Sequence, residues 1–172
     1  MKTLILGGVR SGKSRLAQQY AEDSGLAVTY IATATAEDKS MRQRIEHHRT
    51  QRPAEWSLIE EPCSLAKTLR QQAREDHFLV VDCLTLWLTN LLLLDDDSRL
   101  EQERQALLQC LPTLPGEIVL VTNETGLGVI PMGELSRKFC DEAGLVHQQV
   151  ARVCDRVVLT IAGLPHFLKG NN

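Results

Sequence analysis

The 172-residue chain has no CxxC pair. Its five cysteines, at 63, 83, 110, 140 and 154, are odd in number and scattered. That pattern suggests neither a disulfide framework nor a zinc ribbon, and it reads as reduced, mostly buried thiols. Neither charge is in clear excess: 19 basic against 22 acidic residues leave a formal net charge of −3. Nothing global therefore draws the chain to nucleic acid or to an anionic membrane, and any basic site must be local. Long apolar runs are missing too. Leu4-Ile5-Leu6 is too short for a secretory signal and Leu86–Leu94 too short to span a bilayer, so the chain reads as cytoplasmic, without stable membrane insertion. No repeat, low-complexity tract or linker interrupts it, and 43% hydrophobic residues suffice for one core, so residues 1–172 read as a single domain.

What is present is an alternation of short β-branched or apolar runs with longer segments of helical period, the pattern of parallel strands joined by crossover helices in an α/β fold. Strands are predicted near 2–6, 28–33, 78–82, 117–122 and 156–161, with Trp56–Ile59 as a short extra one. Helices are predicted near 13–24, 37–51, 63–75, 84–94, 99–111 and 133–154. Phe78-Leu79-Val80-Val81 does not alternate, which fits a central strand covered on both faces. Pro112-Thr113-Leu114-Pro115-Gly116 stops one helix and turns the chain into Ile118-Val119-Leu120-Val121. Asp95-Asp96-Asp97-Ser98 reads as the end of one helix and the cap of the next; a metal site is the sharper reading of the same aspartates.

Between the first strand and the first helix, Gly7-Gly8-Val9-Arg10-Ser11-Gly12-Lys13-Ser14 matches G-x-x-x-x-G-K-[ST] in the strand–loop–helix setting that gives this motif its meaning. Glycines let the loop wrap phosphates with its amides inward, and the following helix points its positive end at the same anion. Lys13 is placed to reach the β- and γ-phosphates and Ser14 to ligate Mg²⁺. Asp82, just after the apolar strand, is the natural second carboxylate for that Mg²⁺, although an Asp there also makes a good helix N-cap. A switch GTPase is disfavoured. It requires DxxG and NKxD, where this chain has Asp82-Cys83-Leu84-Thr85 and Thr122-Asn123-Glu124-Thr125.

The unusual feature is Ile45-Glu46-His47-His48-Arg49, with Arg42, Arg44 and Arg52 nearby. On helical spacing Met41, Ile45 and His48 share one face, whereas His47 lies with Ser40, Arg44 and Gln51 on a more polar one. A neutral imidazole can attack phosphorus, and neighbouring arginines can stabilise the charge that develops on the oxygens. Spacing alone equally allows a packed His48 and a solvated His47. Glu60-Glu61 and Thr33 fall where ligand loops leave the carboxyl edge of a parallel sheet. The loop from Thr122 to Pro131 falls there too, and reads either as a wall of the second substrate's pocket or as a plain connection.

In this order, the motifs Gly7–Ser14, Tyr30-Ile31-Ala32-Thr33-Ala34, Arg44–Arg49, Arg52-Pro53 before Trp56, Asp82–Thr85, Thr89-Asn90-Leu91-Leu92 and Val121–Pro131 closely resemble the bifunctional adenosylcobinamide kinase/adenosylcobinamide-phosphate guanylyltransferase family of cobalamin biosynthesis. The resemblance runs from Met1 to about Pro165. It implies a RecA-like P-loop NTPase fold, a mostly parallel sheet flanked by helices. It also implies two reactions: phosphorylation of adenosylcobinamide with ATP or GTP, then transfer of GMP from GTP onto that phosphate, giving adenosylcobinamide-GDP and pyrophosphate. The first histidine of the pair, here His47, would carry GMP as a phosphoramidate. Nucleotide contacts would come from Gly7 through Ser14 and from Ala32, Thr33, Ala34, His48, Arg49, Thr50, Gln51, Glu60 and Asp82. A homo-oligomer, with a trimer favoured, is implied as well. The chain departs from the family pattern at Phe139-Cys140-Asp141 and His147-Gln148, where the family more often shows Phe-Arg-Asp and Asn-Gln. Two competing functions are an ordinary P-loop small-molecule kinase without a covalent histidine, and a non-catalytic nucleotide-dependent regulator.

Overall fold

His77–Asp82 runs as a strand whose side chains divide between two cores: Phe78 and Val80 point to one face of the sheet, Leu79 and Val81 to the other. Such a strand has to lie inside a sheet covered on both sides, and in this computed structural model, which describes residues 1–35 and 53–170, it does.

Among the described residues seven strands form one sheet: β1 (Lys2–Gly7), β2 (Ala27–Ala32), β3 (Ser57–Glu60), β4 (His77–Asp82), β5 (Glu117–Asn123), β6 (Arg156–Ile161) and β7 (Leu164–Lys169). Their order is β3-β2-β4-β5-β1-β6-β7, all parallel except the antiparallel pair β6–β7. Among the described residues, α1 (Lys13–Ser24) covers one face over Ile5, Tyr30, Phe78, Val80 and Val121. Helices α2 (Leu65–Gln72), α3 (Leu84–Leu93), α4 (Asp97–Cys110) and α5 (Glu134–Val153) cover the other, around Leu4, Leu79, Leu120, Trp87 and Val150. Because β1 sits between β5 and β6, its six residues are all buried, and the chain leaves it at the middle of the carboxyl edge.

The local signals mostly act as expected. Asp96 Oδ1 accepts from the Ser98 and Arg99 amides at 3.0 and 3.1 Å and so caps α4, which starts two residues earlier than expected. No group of three or more His, Cys, Asp or Glu that could hold a metal occurs among the described residues; Asp96 alone of the three aspartates is the cap, and Asp97 Oδ1 accepts from Lys138 Nζ at 2.8 Å. The α2 helix is shorter than its period suggests; Glu61 takes the Cys63 and Ser64 amides at 3.0 and 2.6 Å and delays its start. All five thiols are free, with Cys83, Cys110 and Cys154 buried. No described helix is long and apolar enough to cross a membrane. The helix expected near 37–51 lies outside the described residues.

One element was not anticipated. Strand β7 returns on β6 through Ala162 and Gly163, both at positive φ (53° and 81°), the backbone of a tight hairpin turn. Its Pro165 is tolerated because β7 is an edge strand, and Lys169 Nζ reaches the carbonyls of Ala151, Arg152 and Cys154, fastening the strand to the negative end of α5.

Candidate active site

The loop between β1 and α1 begins at a glycine whose surroundings leave no room for a side chain. A Cβ on Gly7 would lie 2.3 Å from Ser11 Oγ and 2.7 Å from the Thr160 carbonyl oxygen. Arg10 and Gly12 take left-handed conformations at φ 55° and 99°, folding the loop back on itself. The Ser11 amide donates to Gly8 O at 3.3 Å, and Ser11 O accepts from the Gly163 amide at 2.9 Å. The turn of the β6–β7 hairpin therefore props the loop from behind. Gly12 caps α1 without a side-chain acceptor, so the first-turn amides of the helix stay available to an anion. Lys13 Nζ lies along the loop, donating to Gly8 O at 2.9 Å. Burial lowers its ammonium below the ordinary value, with the Asp82 carboxylate opposing that shift.

Asp82 ends β4 directly across from α1. Its Oδ2 accepts from the Tyr30 hydroxyl at 2.5 Å and from Ser14 Oγ at 3.4 Å. Helix α3 is capped at Cys83 with no side-chain acceptor, so the alternative role of Asp82 as an N-cap does not apply. A carboxylate, a hydroxyl and the space for phosphate oxygens make the hard-oxygen donor set that suits Mg²⁺. A cavity of about 690 Å³ opens against Ser14, Tyr30, Trp56 and Asp82 and continues along α1.

Register places the other edge residues in one row. Ala32 pairs with Asp82 on one side and with Glu60 on the other, and Glu60 is exposed there. Thr33 is fully buried: its hydroxyl donates to Cys83 O at 2.7 Å and accepts from Cys83 N at 2.9 Å, while Asn90 Nδ2 donates to Thr33 O at 2.8 Å. That side chain braces the edge, which leaves backbone and the half-exposed Ala32 and Ala34 to face a ligand. Glu61, by contrast, is committed to α2. His47, His48, Arg49, Thr50 and Gln51, with Arg42 and Arg44, lie outside the described residues.

Three contributors were not singled out for these roles in the sequence. Tyr30 orients Asp82, and only the β2–β4 register brings them together. Gly163 supports the phosphate loop through a hairpin turn that no strong dipeptide signal marks. The third is a chain of polar groups behind β5: Asn123 N donates to Thr85 Oγ1 (2.7 Å), Thr85 Oγ1 meets Thr122 Oγ1 (3.2 Å), Thr122 Oγ1 meets His147 Nε2 (2.9 Å), and His147 Nδ1 faces Glu124 Oε2 (3.5 Å). Glu124 N in turn donates to Gly7 O at 3.0 Å. Beyond it the loop raises Leu127, Val129, Ile130 and Met132 into solvent, all more than three-quarters exposed, at the same sheet edge.

Against known proteins, residues 3–168 match the family model described as cobinamide kinase / cobinamide phosphate guanyltransferase. The chain is 63% identical over 170 residues to the bifunctional adenosylcobalamin biosynthesis protein CobP of Pseudomonas aeruginosa, covering 99% of this chain and 98% of that one. It is 38% identical over 177 residues to the protein of Escherichia coli named bifunctional adenosylcobalamin biosynthesis protein CobU, with 95% and 97% covered. Among solved structures it resembles the RadB recombinase with a TM-score of 0.54 over 92% of this chain and 73% of that one; at 18% identity this likeness speaks to fold alone, a RecA-like P-loop sheet. With the phosphate loop, its lysine and the facing carboxylate assembled at one sheet edge, and with nearly its whole length matched, the chain belongs to the cobinamide kinase / cobinamide phosphate guanyltransferase family.

Proposed function

We propose that this chain catalyses both reactions of its family: phosphorylation of adenosylcobinamide by ATP or GTP, and transfer of GMP from GTP to the resulting phosphate. The observation that carries the reading is the convergence of Lys13, Ser14 and Asp82 at the mouth of the phosphate loop, with Ser14 Oγ 3.4 Å from the Asp82 carboxylate. The loop amides and the first turn of α1 receive the phosphate oxygens, and Lys13 exchanges Gly8 O for them. Ser14 and Asp82 are the residues that would hold Mg²⁺, which when bound neutralises charge on the phosphates.

For the first reaction the acceptor hydroxyl attacks the γ-phosphorus, its proton passes to solvent, and the nucleoside diphosphate leaves with the β–γ bridging oxygen. For the second, a ring nitrogen of neutral His47 attacks the α-phosphorus and pyrophosphate leaves; a phosphate oxygen of adenosylcobinamide phosphate then displaces the imidazole. Arg44 and Arg49 are assigned to stabilise charge at that phosphorus. His48, Arg49, Thr50, Gln51, Ala32, Thr33, Ala34 and Glu60 complete the proposed nucleotide contacts, and a homotrimer is the proposed assembly, testable by analytical ultracentrifugation.

The deciding experiment is incubation with α-labelled GTP. It should leave an acid-labile, alkali-stable adduct that maps to the peptide containing His47, and its absence from active enzyme would sink the covalent route in favour of a simple kinase. His47→Ala should lose guanylylation while largely keeping kinase turnover, whereas Lys13→Ala should weaken both. Nucleotide binding without turnover on adenosylcobinamide would instead indicate a regulator.

A further inference from the structure

Strand β5 lies between the strand that feeds the phosphate loop and the strand that ends in Asp82. Its last residues therefore set the spacing across the site: Asn123 pairs with Gly7, Asp82 pairs with Val121, and Glu124 N is bonded to Gly7 O at 3.0 Å. What holds this end of β5 from behind is the buried ring of His147, reached from α5.

We propose that His147 is a positioning residue for phosphoryl transfer, acting through Thr122 and Glu124 on the phosphate loop, and that its ionisable ring makes that positioning sensitive to acid. The inference rests on the kinase activity proposed above.

The argument follows the hydrogens. With His147 neutral and its proton on Nδ1, the ring donates toward Glu124 Oε2, and Nε2 must accept from Thr122. Thr122 then accepts from Thr85, which accepts from the Asn123 amide. Every donor points the same way, and the chain ends on a carboxylate that also takes the Gly126 amide at 2.6 Å. Protonating Nε2 turns it into a donor to Thr122. The Thr122 hydrogen then has no acceptor in the chain unless Thr85 gives up its own bond to Thr122, so one of the two hydroxyls loses its acceptor and the pair that fixes Asn123 is disturbed. The charges around the ring are few. Among the described residues Glu124 is the charged group that reaches it; α3 carries none, β1 and β5 carry Lys2 and Glu117 only at their far ends, and on the α4–α5 contact Arg104 is engaged with Glu101 and Glu142 and Lys138 with Asp97. Burial lowers the His147 imidazolium below the ordinary value, with Glu124 opposing, so the neutral ring prevails at neutral pH. An asparagine at 147 carries a donor and an acceptor without a proton to gain.

The test is the pH profile of adenosylcobinamide phosphorylation for the full-length wild type, His147→Asn and His147→Ala, with melting temperatures recorded alongside. The wild type should lose kcat as pH falls below the ordinary imidazole value of about 6.5. His147→Asn should stay within about threefold of wild type at pH 8 and lack that acid limb, and His147→Ala should lose about tenfold or more in kcat at all pH values, the scale of a small misplacement of reacting groups. An acid limb identical in wild type and His147→Asn overturns the proposal, as does full turnover by a folded His147→Ala. Should His147→Ala not fold, the comparison with His147→Asn decides alone. Wild-type protein without turnover on adenosylcobinamide would overturn the kinase reading itself, a result distinct from turnover with an unchanged profile.

Discussion

Gly7→Ala isolates packing from backbone conformation, because Gly7, unlike Gly12, does not take a positive φ. The added carbon would stand 2.3 Å from Ser11 Oγ and 2.7 Å from both the carbonyl and hydroxyl oxygens of Thr160. Ordinary contact begins near 3.4 Å, so the methyl must gain about 1.1 Å from Ser11 and about 0.7 Å from Thr160. Ser11 can rotate, but the Thr160 carbonyl belongs to β6 and is held in the sheet beside β1. Overpacking of this kind costs about 1–3 kcal/mol, and for a domain of this size about 2 kcal/mol lowers Tm by about 4–8 °C. The shift falls on the first residue of the phosphate loop, so nucleotide affinity and turnover should drop about tenfold or more as well. Differential scanning calorimetry and titration of a nucleotide analogue read the two effects separately. Adding Ser11→Ala should recover part of the loss and not all of it, since Thr160 O remains. A Gly7→Ala protein with unchanged Tm and unchanged affinity would refute the reasoning from close approach.

Removal of the Tyr30 hydroxyl in Tyr30→Phe takes one of two donors from Asp82 Oδ2, and the net worth of such a bond is about 1 kcal/mol. The Mg²⁺ concentration giving half-maximal kinase rate should rise about fivefold, and an unchanged Mg²⁺ titration would count against an orienting role. Cys83 and Cys154 are pushed up by burial to about 11 and about 12, so both stay thiols at pH 7.5. Iodoacetamide should leave them unmodified in the folded protein and label them after denaturation, as peptide mapping would reveal; labelling of either in the native state contradicts this.

The parts of the site that the sequence disclosed are those whose meaning is local. Gly7–Ser14 needs only its neighbours to be a phosphate loop, and Phe78–Val81 announces a central strand by being apolar at every position, which places Asp82 at the edge. The cap at Asp96 is likewise written in three consecutive residues. What stayed hidden depends on register between distant segments. Tyr30 finds Asp82 only because β2 lies beside β4, and His147 finds Thr122 only because α5 crosses the end of β5. Strand β7 escaped for another reason: Ala162-Gly163 is a weaker turn signal than Asn-Gly, and Pro165 argues against a strand unless that strand lies at an edge.

The position of β1 has a consequence for synthesis. The phosphate loop leaves the ribosome before β5 and β6 are made, yet the strand that launches it is flanked by those two strands, and its back is propped by Gly163. At about 5–20 residues per second, roughly 8–30 s separate translation of Lys2 from that of its β6 neighbours. The nucleotide grip is thus completed well after it is encoded, and a nascent chain released before the β6–β7 hairpin would carry the whole motif without the scaffold that shapes it.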